Sequence, residues 1–344
     1  MLRFPRKKLK GEVVTPEIMV SAVVVNWNGA RHLETCLPSL LSQSYRQLEI
    51  IVVDNDSADD SVEVARSFGV RWIPLDTNAG LAPALNKGAE AAVGEFILFL
   101  NNDMRFHHNF VESMIISMAR DPNVFSVDAL QYDWDGNNEV HLATRLATHR
   151  GVNSLSYPMV PSLYVFQENC VSPTVVLMAS AANMLVRKSM FRILGGFDER
   201  LPLGYEDVEI CWRAWVRGWK SVFAPAAICW HRVSASIESL GEGSRMSFRG
   251  IYYGRLLMAT KLLPVRYIIM TWFVTVAGLT SDIAGLRWQR VADRLRMLTA
   301  FINDLGPLLR QRHQIFGAER GSPSQHLNRL LQLSAQKVSE IGRS

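Results

Sequence analysis

The chain has 344 residues, 48% of them apolar, and its 37 basic and 32 acidic side chains give a formal net charge of +5. This length allows about two domains, and the composition excludes an intrinsically disordered chain and a miniature protein that folds around disulfides or a metal. The four cysteines are scattered and form no CxxC pair, so we interpret them as reduced thiols: Cys36, Cys170, Cys211 and Cys229.

The N-terminal segment, residues 1–19, is basic. Five of its first ten residues are Lys or Arg, and no long apolar stretch follows as a secretory signal peptide requires. We therefore expect the chain to remain in the cytoplasm and this segment to be a flexible, solvated leader. Binding of the leader to anionic lipid or another polyanion is the alternative.

From residue 20 the chain alternates short apolar runs with stretches of helical spacing. Continuous apolar runs indicate strands buried on both faces, at 21–27, 49–53, 70–74 and 96–100. The stretches between them predict helices at 31–43, 59–67 and 82–92, with Asp59 as a candidate N-cap. The order βαβαβαβ predicts a mainly parallel, Rossmann-like α/β sheet with helices on both faces and a ligand site beyond the carboxyl ends of its strands.

Polar side chains follow all four predicted strands. Because the carboxyl ends of parallel strands meet at one edge of a sheet, we expect the chemistry to lie there. The first turn, Asn28-Gly29-Ala30-Arg31, is neither a G-x-G-x-x-G fingerprint nor a P-loop. The polar groups are Asn26 to Asn28, Asp54 to Ser57, Asp76 to Asn78 and Asn101 to Asp103.

The middle of the chain is less regular. A helix is predicted at 109–120 and a strand near 125–128, before an irregular stretch at 131–172 that we expect to shape a binding pocket. Strand material at 175–187 then precedes helices at 188–194 and 208–217. Arg213 and Arg217 lie four residues apart on the last helix, and we interpret them as part of a solvated face.

The C-terminal part changes in character. A helical stretch at 246–263 ends before Pro264, and the segment 267–281 carries no charge. That segment is shorter than the about 20 residues that span a bilayer. Its cationic flanks fit an interfacial helix on a membrane, and its composition fits a helix buried against the main domain equally well. The arginine-rich stretch 287–312 matches no nucleic-acid-binding motif, so no nucleic acid partner is expected.

Four motifs resemble those of the family 2 glycosyltransferases, which have the GT-A fold and use nucleotide-diphosphate sugars. The resemblance covers about residues 20–235 and keeps the family's order and spacing. The WNG opening and the N-x-D form of the metal motif look most like bacterial rhamnosyltransferases of cell-surface polysaccharide synthesis. The motifs are VVVNWNG at 23–29, EIIVVDNDSADDS at 49–61, NAGLAPALNKGAEAAVGEFILFLNNDM at 78–104 and GGFDERLPLGYEDVEICWRAWVRGW at 195–219.

The resemblance implies where a nucleotide-diphosphate sugar binds. The family's base-contacting carboxylate corresponds to Asp54, although an aspartate there would also serve as a helix cap. A glycine at position 80 would permit close approach of the backbone to the donor. The expected donor-binding residues are Asn26, Asp54, Asn78, Gly80, Asn86 and Asn102.

The resemblance also implies a divalent cation, Mg²⁺ or Mn²⁺, on the donor diphosphate. Such a hard cation prefers carboxylate and phosphate oxygens. The family's D-x-D reads Asn101-Asn102-Asp103 here, so one carboxylate is present and donor oxygens and water must complete the coordination. The predicted metal ligands are Asp103 and His231, although a lone histidine at a strand end is more often structural.

Glu206 and Asp207 precede the predicted helix at 208–217, where capping alone would explain one of them. In the family's ED motif the aspartate is the general base that deprotonates the acceptor hydroxyl, opposite the leaving diphosphate, which implies inversion. A second catalytic acid is not needed, because the leaving group is a metal-bound phosphate. The predicted catalytic residues are Asp207, as base, and Glu206, which contacts the acceptor or orients the loop.

We therefore predict an inverting, metal-dependent hexosyltransferase with dTDP-rhamnose as the favoured donor. The expected acceptor is a polyprenyl-linked or polysaccharide hydroxyl, and the expected location is the inner face of the cell membrane. The predicted division is a GT-A domain at 20–235, a helical membrane-associated region at 236–320 and a tail at 321–344. The alternative is a catalytically inactive GT-A module that binds nucleotide sugar or glycan within an assembly.

Overall fold

The computed structural model describes residues 18–141, 144–147, 162–165, 174–201, 205–232, 243–317 and 320–341. Residues 1–17, which hold most of the basic leader, lie outside the described residues. So do Cys170, much of the irregular stretch and the predicted boundary at residue 235. The other three cysteines are buried free thiols, and burial raises the pKa of Cys211 to about 11.

Four parallel strands form one half of the central sheet. They are β1 (Val20–Asn26), β2 (Leu48–Asp54), β3 (Arg71–Pro74) and β4 (Phe96–Asn101), in the order β3-β2-β1-β4. Val20 of β1 pairs with Leu48 on one side and Phe96 on the other, so these strands begin and end together. The predicted parallel arrangement is confirmed, with boundaries that shift by one residue at most ends.

The other half of the sheet is mixed. Strand β11 pairs antiparallel with both β4 and β6, β12 runs parallel to β6, and β10 and β5 pair antiparallel with β12. Strand β7 pairs with β6, while β8 and β9 pair with each other. The strands are β5 (Met104–Phe106), β6 (Val124–Asp133), β7 (Glu139–His141), β8 (Thr144–Ala147), β9 (Ser162–Val165), β10 (Thr174–Val176), β11 (Leu185–Arg187) and β12 (Lys220–His231).

The predicted strand material at 175–187 is wrong in its middle, because β10 and β11 are separated by a buried loop at 177–184. Apolar residues fill this loop, which is why it resembles a strand in sequence. Its backbone N–H groups form hydrogen bonds other than those of a strand pair. Ser180 N–H donates to Asp128 Oδ1 at 3.1 Å, and Asn183 N–H donates to the Ser180 carbonyl at 2.9 Å. The loop reaches the end of β4, where Asn101 N–H donates to the Ala182 carbonyl.

Helices cover both faces of the sheet. Val23 and Val24 of β1 lie in separate apolar clusters on opposite faces, as the alternation of a strand requires. The cluster around Val23 includes residues of α3 and α6, and the cluster around Val24 includes residues of α1 and α4. The helices are α1 (Ala30–Leu41), α2 (Ser61–Ser67), α3 (Leu81–Ala91), α4 (Phe110–Ala119), α5 (Lys188–Leu194) and α6 (Glu206–Val216).

Four helices follow the sheet: α7 (Gly243–Leu262), α8 (Val265–Ala284), α9 (Trp288–Ile315) and α10 (Pro323–Ile341). Helices α7 and α9 share a small core in which Leu256 and Leu257 pack with Met297 and Phe301. By length and composition, α8 is the one helix within the described ranges that is long and apolar enough to cross a membrane. It is 20 residues long and contains the charge-free segment 267–281, with Arg266 near its start and Asp282 near its end.

A buried ion cluster joins α7 to the sheet domain, and it consists of Asp198, Arg200, Glu209, Arg213 and Lys261. Lys261 Nζ lies 2.6 Å from Asp198 Oδ2 and also contacts Glu209. Arg213 binds Glu209 at 2.6 Å, and Arg200 binds Asp198 at 2.6 Å. The interpretation of Arg213 as a solvated residue is wrong, because its side chain is buried and also donates to the carbonyls of Leu194 and Gly196.

The ion cluster predicts acid sensitivity of the fold. Burial alone would raise the pKa of Asp198, but the hydrogen bonds and charges of Arg200 and Lys261 hold it well below its usual value. The resulting stabilisation is therefore present above the unfolded-state pKa of about 4 and is lost as the pH falls through the lower folded-state pKa. We expect Asp198→Asn to lower the free energy of unfolding at pH 7 by about 3 kcal/mol.

Urea unfolding at pH 7 and at pH 3 measures this effect. The variant should show a smaller loss of stability on acidification than the unaltered protein. Asp121→Asn is the matched control, because Asp121 pairs with Lys220 at a partly exposed site and its removal should change stability far less. An equal acid response in Asp198→Asn and the unaltered protein would contradict the assignment.

Candidate active site

A chain of hydrogen bonds joins the carboxyl ends of β4, β1 and β2. The Asn102 amide donates to Asn26 Oδ1 at 2.6 Å, and the Asn26 amide donates to Asp54 Oδ1 at 3.2 Å. Ser57 donates to the Asp54 carboxylate through both its hydroxyl and its backbone N–H. Asn26, Asp54 and Asn102 are buried, so three predicted donor-site residues meet at one edge of the sheet. The capping alternative for Asp54 is wrong, because α2 begins only at Ser61 and the bond from Ser57 N–H closes the turn that follows β2.

Gly29 lies against this chain, and the space there excludes a side chain. A Cβ at residue 29 would lie 2.1 Å from Asn102 Nδ2 and 2.5 Å from Asn26 Oδ1. The preceding Asn28 has a φ of 48°, a left-handed conformation that asparagine tolerates, and its Oδ1 accepts from Ala58 N–H at 2.7 Å. Packing and backbone conformation thus account for the Asn-Gly pair of the opening motif.

The loop that precedes α3 is held by Asn55. Its amide donates to Asn78 Oδ1 at 3.0 Å and to the Gly80 carbonyl at 3.2 Å, and its Oδ1 accepts from Ala79 N–H at 2.9 Å. Gly80 has a φ of 93°, and no described atom lies within 4 Å of the position that a Cβ would take. The loop therefore presents bare backbone close to the turn that follows Asp54.

The amide of Asn86 is engaged elsewhere. Its Oδ1 accepts from Phe197 N–H, and its Nδ2 donates to the Phe197 carbonyl and to Glu199 Oε1, each at 2.9 Å. These bonds connect α3 to the loop that leads from α5 to α6. Any contribution of Asn86 to donor binding would therefore act through this loop.

Asp103 and His231 face each other where β4 and β12 end. Asp103 Oδ1 lies 3.1 Å from His231 Nε2, and it is buried without a hydrogen-bond donor among the described residues. The other ring nitrogen, Nδ1, lies 3.1 Å from Gln131 Oε1. Asn183 orients the Gln131 amide. With the oxygen and nitrogen of the Asn183 amide exchanged, that oxygen accepts from Gln131 Nε2 at 2.9 Å.

This hydrogen bonding assigns the Nδ1 proton to the bond with Gln131, so the neutral ring presents a lone pair at Nε2 to the carboxylate. Asn101 Nδ2 also lies 3.4 Å from Nε2, but Asp103 Oδ1 has no donor in the part of the chain that the structure describes and needs a proton or a cation. Two ligands at right angles around a cation with bonds of about 2.1 Å are about 3 Å apart, so the pair fits a Mg²⁺ or Mn²⁺ ion. Within the described ranges, no third His, Cys, Asp or Glu joins them.

Glu206 and Asp207 begin α6. Asp207 Oδ2 accepts from Ala181 N–H at 3.4 Å, and Asp207 Oδ1 accepts from Val208 N–H at 2.7 Å. Ala181 belongs to the buried loop that also binds the end of β4, so this loop connects Asp207 to the strand that leads to Asp103. Glu206 is buried and accepts from Tyr205 N–H at 3.0 Å. Asp207 is only partly buried and is the more accessible of the two acids.

The sequence model of glycosyl transferase family 2 matches residues 21–195, more than half of the chain. The chain belongs to this family. The N-acetylglucosaminyl-diphospho-decaprenol L-rhamnosyltransferase of Mycobacterium tuberculosis is 27% identical over 237 residues, which cover 63% of this chain and 77% of that protein. The poly-beta-1,6-N-acetyl-D-glucosamine synthase of Staphylococcus epidermidis is 22% identical over 64% of this chain and 52% of that protein.

Solved structures share the fold of this glycosyltransferase. Residues 1–349 of TarS from S. aureus superpose on 87% of this chain and 88% of their own length, with a TM-score of 0.53 and 16% identity. GalNAc-T7, solved with UDP, GalNAc and Mn²⁺, covers 72% of this chain with a TM-score of 0.52 and 18% identity. This chain spans about half of GalNAc-T7, 52% of its length. The fold is GT-A, as the sequence motifs predicted.

The sequence predictions for this glycosyltransferase did not include two residues of the site, Asn55 and Gln131. Asn55 stands beside Asp54 in the second motif, and this position is the signal in the sequence that points to it. Gln131 gives no local signal, because it reaches His231 only through the pairing of β6 with β12, in which Gln131 is opposite Cys229. Ordering of the histidine ring depends on that register.

Proposed function

We propose that this glycosyltransferase moves a sugar from a nucleotide-diphosphate sugar to an acceptor hydroxyl with inversion at the anomeric carbon. The observation that carries the proposal is the arrangement at the end of β4. That strand leads into the Asn102–Asn26–Asp54 chain and the Asp103–His231 pair, and it contacts the loop that binds Asp207. The groups that we propose for donor binding, charge stabilisation and proton transfer thus share one edge of the sheet.

Asp207 is the proposed base. As the acceptor oxygen attacks the anomeric carbon and forms the new C–O bond, its proton moves to the Asp207 carboxylate. The bond from the anomeric carbon to the diphosphate oxygen breaks at the same time, and its electron pair leaves with the nucleoside diphosphate. Attack opposite this leaving group inverts the configuration. Glu206 is proposed to hold the Tyr205–Asp207 segment in place through its bond to Tyr205 N–H.

Asp103 and His231 are the residues that would hold a divalent cation. When bound, Mg²⁺ or Mn²⁺ neutralises the charge that develops on the diphosphate. With two protein ligands, the remaining positions are left to diphosphate oxygens and water. Asn26, Asp54, Asn78, Gly80 and Asn102 are proposed to bind the donor nucleotide.

The proposed donor is dTDP-rhamnose, and the proposed acceptor is a polyprenyl-linked or polysaccharide hydroxyl. The mycobacterial relative supports both, since its name describes transfer of L-rhamnose to an N-acetylglucosaminyl-diphospho-decaprenol. The WNG and N-x-D motifs supported the same subgroup independently of that relative.

Release of nucleoside diphosphate by the purified protein tests the reaction. The assay would supply Mn²⁺ or Mg²⁺ with dTDP-rhamnose, UDP-sugars and GDP-sugars, in the presence and absence of a polyprenyl-diphosphate-linked N-acetylglucosamine. We expect release with dTDP-rhamnose that increases with the acceptor. Donor binding without transfer to any acceptor would favour the alternative, an inactive module that binds nucleotide sugar.

The C-terminal helices are proposed to bind the inner surface of the cell membrane. In α8 the usual amphipathic arrangement is reversed: Thr271, Thr275 and Asp282 are buried, while Ile269 and Phe273 are 65% and 72% exposed. An apolar face toward solvent beside polar buried positions suits contact with lipid. The exposed arginines at the two ends of α8, Arg266 and Arg287, suit anionic headgroups.

Replacing Phe273 by aspartate is expected to weaken binding to vesicles that contain phosphatidylglycerol by at least about tenfold, because a charge replaces a large apolar side chain in the interface. Vesicle sedimentation measures the effect. Leu41→Asp is the matched control, since Leu41 is also exposed, at 49%, but lies on α1. Equal vesicle binding by Phe273→Asp and the control would contradict the membrane proposal.

A further inference from the structure

Helix α7 contacts α6 on both sides of its catalytic acids. Gly254 lies against Tyr205, the residue immediately before α6, and Lys261 pairs with Glu209 in the first turn. Glu206 and Asp207 therefore lie between two residues that α7 holds. Both contacts come from a helix about 50 residues further along the chain.

The contact at Gly254 leaves no room for a side chain. A Cβ there would lie 2.4 Å from Tyr205 Cδ2 and 2.6 Å from Tyr205 Cε2. Real Cβ atoms do not approach ring carbons so closely, so the helix backbone itself packs against the ring. Any shift of α7 would consequently move Tyr205, whose backbone N–H binds the Glu206 carboxylate.

The contact at Lys261 is not needed to pair the buried carboxylates. The ion cluster holds three cations and two carboxylates, and guanidinium groups already bind each acid: Arg213 binds Glu209, and Arg200 binds Asp198. Lys261 is 1% exposed, and a buried ammonium carries a large desolvation cost. What Lys261 adds is a direct connection between α7, α6 and the loop that contains Asp198.

We propose that Gly254 and Lys261 are positioning residues, through which α7 sets the place of the Asp207 carboxylate relative to the acceptor. The inference rests on the proposed role of Asp207 as base. Misplacement of a catalytic group by about 1 Å costs up to about 100-fold in rate. Disturbing either contact therefore lowers kcat, while the donor site, which lies at the ends of β1, β2 and β4, is left intact.

The test compares kcat and donor KM in the full-length protein. Lys261→Met removes the ammonium and leaves each carboxylate a guanidinium partner, and Gly254→Ala forces the ring of Tyr205 to move. We expect each variant to lower kcat by about tenfold or more and to change donor KM by less than about twofold. Two controls should retain the kcat of the unaltered protein: Lys220→Met at the start of β12, and Gly306→Ala in α9, where a Cβ would meet only Arg310 at 3.8 Å.

A double variant identifies the group through which Lys261 acts. If its effect passes through Asp207, Asp207→Asn/Lys261→Met should have the residual rate of Asp207→Asn alone. Additive losses would overturn the proposal, as would normal kcat in folded Lys261→Met and Gly254→Ala. If Lys261→Met does not fold, the kcat of Gly254→Ala tests the proposal. If neither variant folds, the two residues serve stability, and the proposal is overturned.

The failure of the proposed function would look different. In that case the unaltered protein would transfer no sugar from any donor to any acceptor, and no kcat would exist to compare. Activity in the unaltered protein together with unchanged activity in the variants would refute the positioning role alone.

Discussion

Asp207→Asn is expected to reduce kcat by about 10³-fold while the affinity for the donor stays within about twofold of the unaltered protein. The substitution keeps the shape of the side chain and one of its two acceptor oxygens for the backbone N–H groups of Ala181 and Val208, but an amide does not take the proton of the attacking hydroxyl. Steady-state kinetics with the polyprenyl-linked acceptor measures kcat, and calorimetry measures donor binding.

Asp121→Asn serves as the control for loss of one carboxylate, because Asp121 precedes β6, at the opposite edge of the sheet. Its turnover should equal that of the unaltered protein. Normal turnover in Asp207→Asn would rule out the base assignment, and Glu206→Gln would then be the next variant to measure.

Asp103→Asn is expected to lower kcat/KM with Mn²⁺ by at least about 100-fold and to remove most of the increase in donor affinity that Mn²⁺ produces. The physical reason is that Asp103 is the single carboxylate of the N-x-D motif, and a cation on the diphosphate contributes several kcal/mol of charge stabilisation. Donor titrations with and without Mn²⁺ measure this difference directly.

Asp56→Asn is the matched control for this variant. Asp56 is an exposed acid at the same edge of the sheet, and its φ of 66° is one that asparagine adopts readily. We expect its Mn²⁺ response to match that of the unaltered protein. An undiminished Mn²⁺ response in Asp103→Asn would show that the cation does not depend on this carboxylate.

The parallel half of the fold was predictable because its signals are local. Strands β1, β2 and β4 are largely buried apolar runs, whereas the edge strand β3 is partly exposed. The polar residues that follow these strands mark the edge where the site forms. The loop at 177–184 was misread for the same local reason, since a buried loop and a buried strand are equally apolar. Their hydrogen bonds distinguish them: in the loop, Ser180 N–H donates to Asp128 and Ala181 N–H donates to Asp207.

The ion cluster was not predictable from spacing. The sequence shows that Glu209 and Arg213 are one helical turn apart, which usually describes a solvated pair. In the fold this pair is buried and also contacts Lys261, which lies 52 residues beyond Glu209 and reaches it only through the packing of α7 on α6. In the same way, the ring orientation of His231 depends on Gln131, 100 residues earlier in the chain.

Only two residues, Leu263 and Pro264, separate α7 from α8. One of these helices packs against the start of α6, and the other carries the apolar face proposed for lipid. Because no flexible linker separates the two helices, binding of α8 to a bilayer, as proposed, would fix the distance of Asp207 from the bilayer surface. A lipid-linked acceptor would then react only when its hydroxyl lies at the same distance from the membrane as Asp207. The rigid junction at Pro264 would in that way limit the length of the glycan that this enzyme extends.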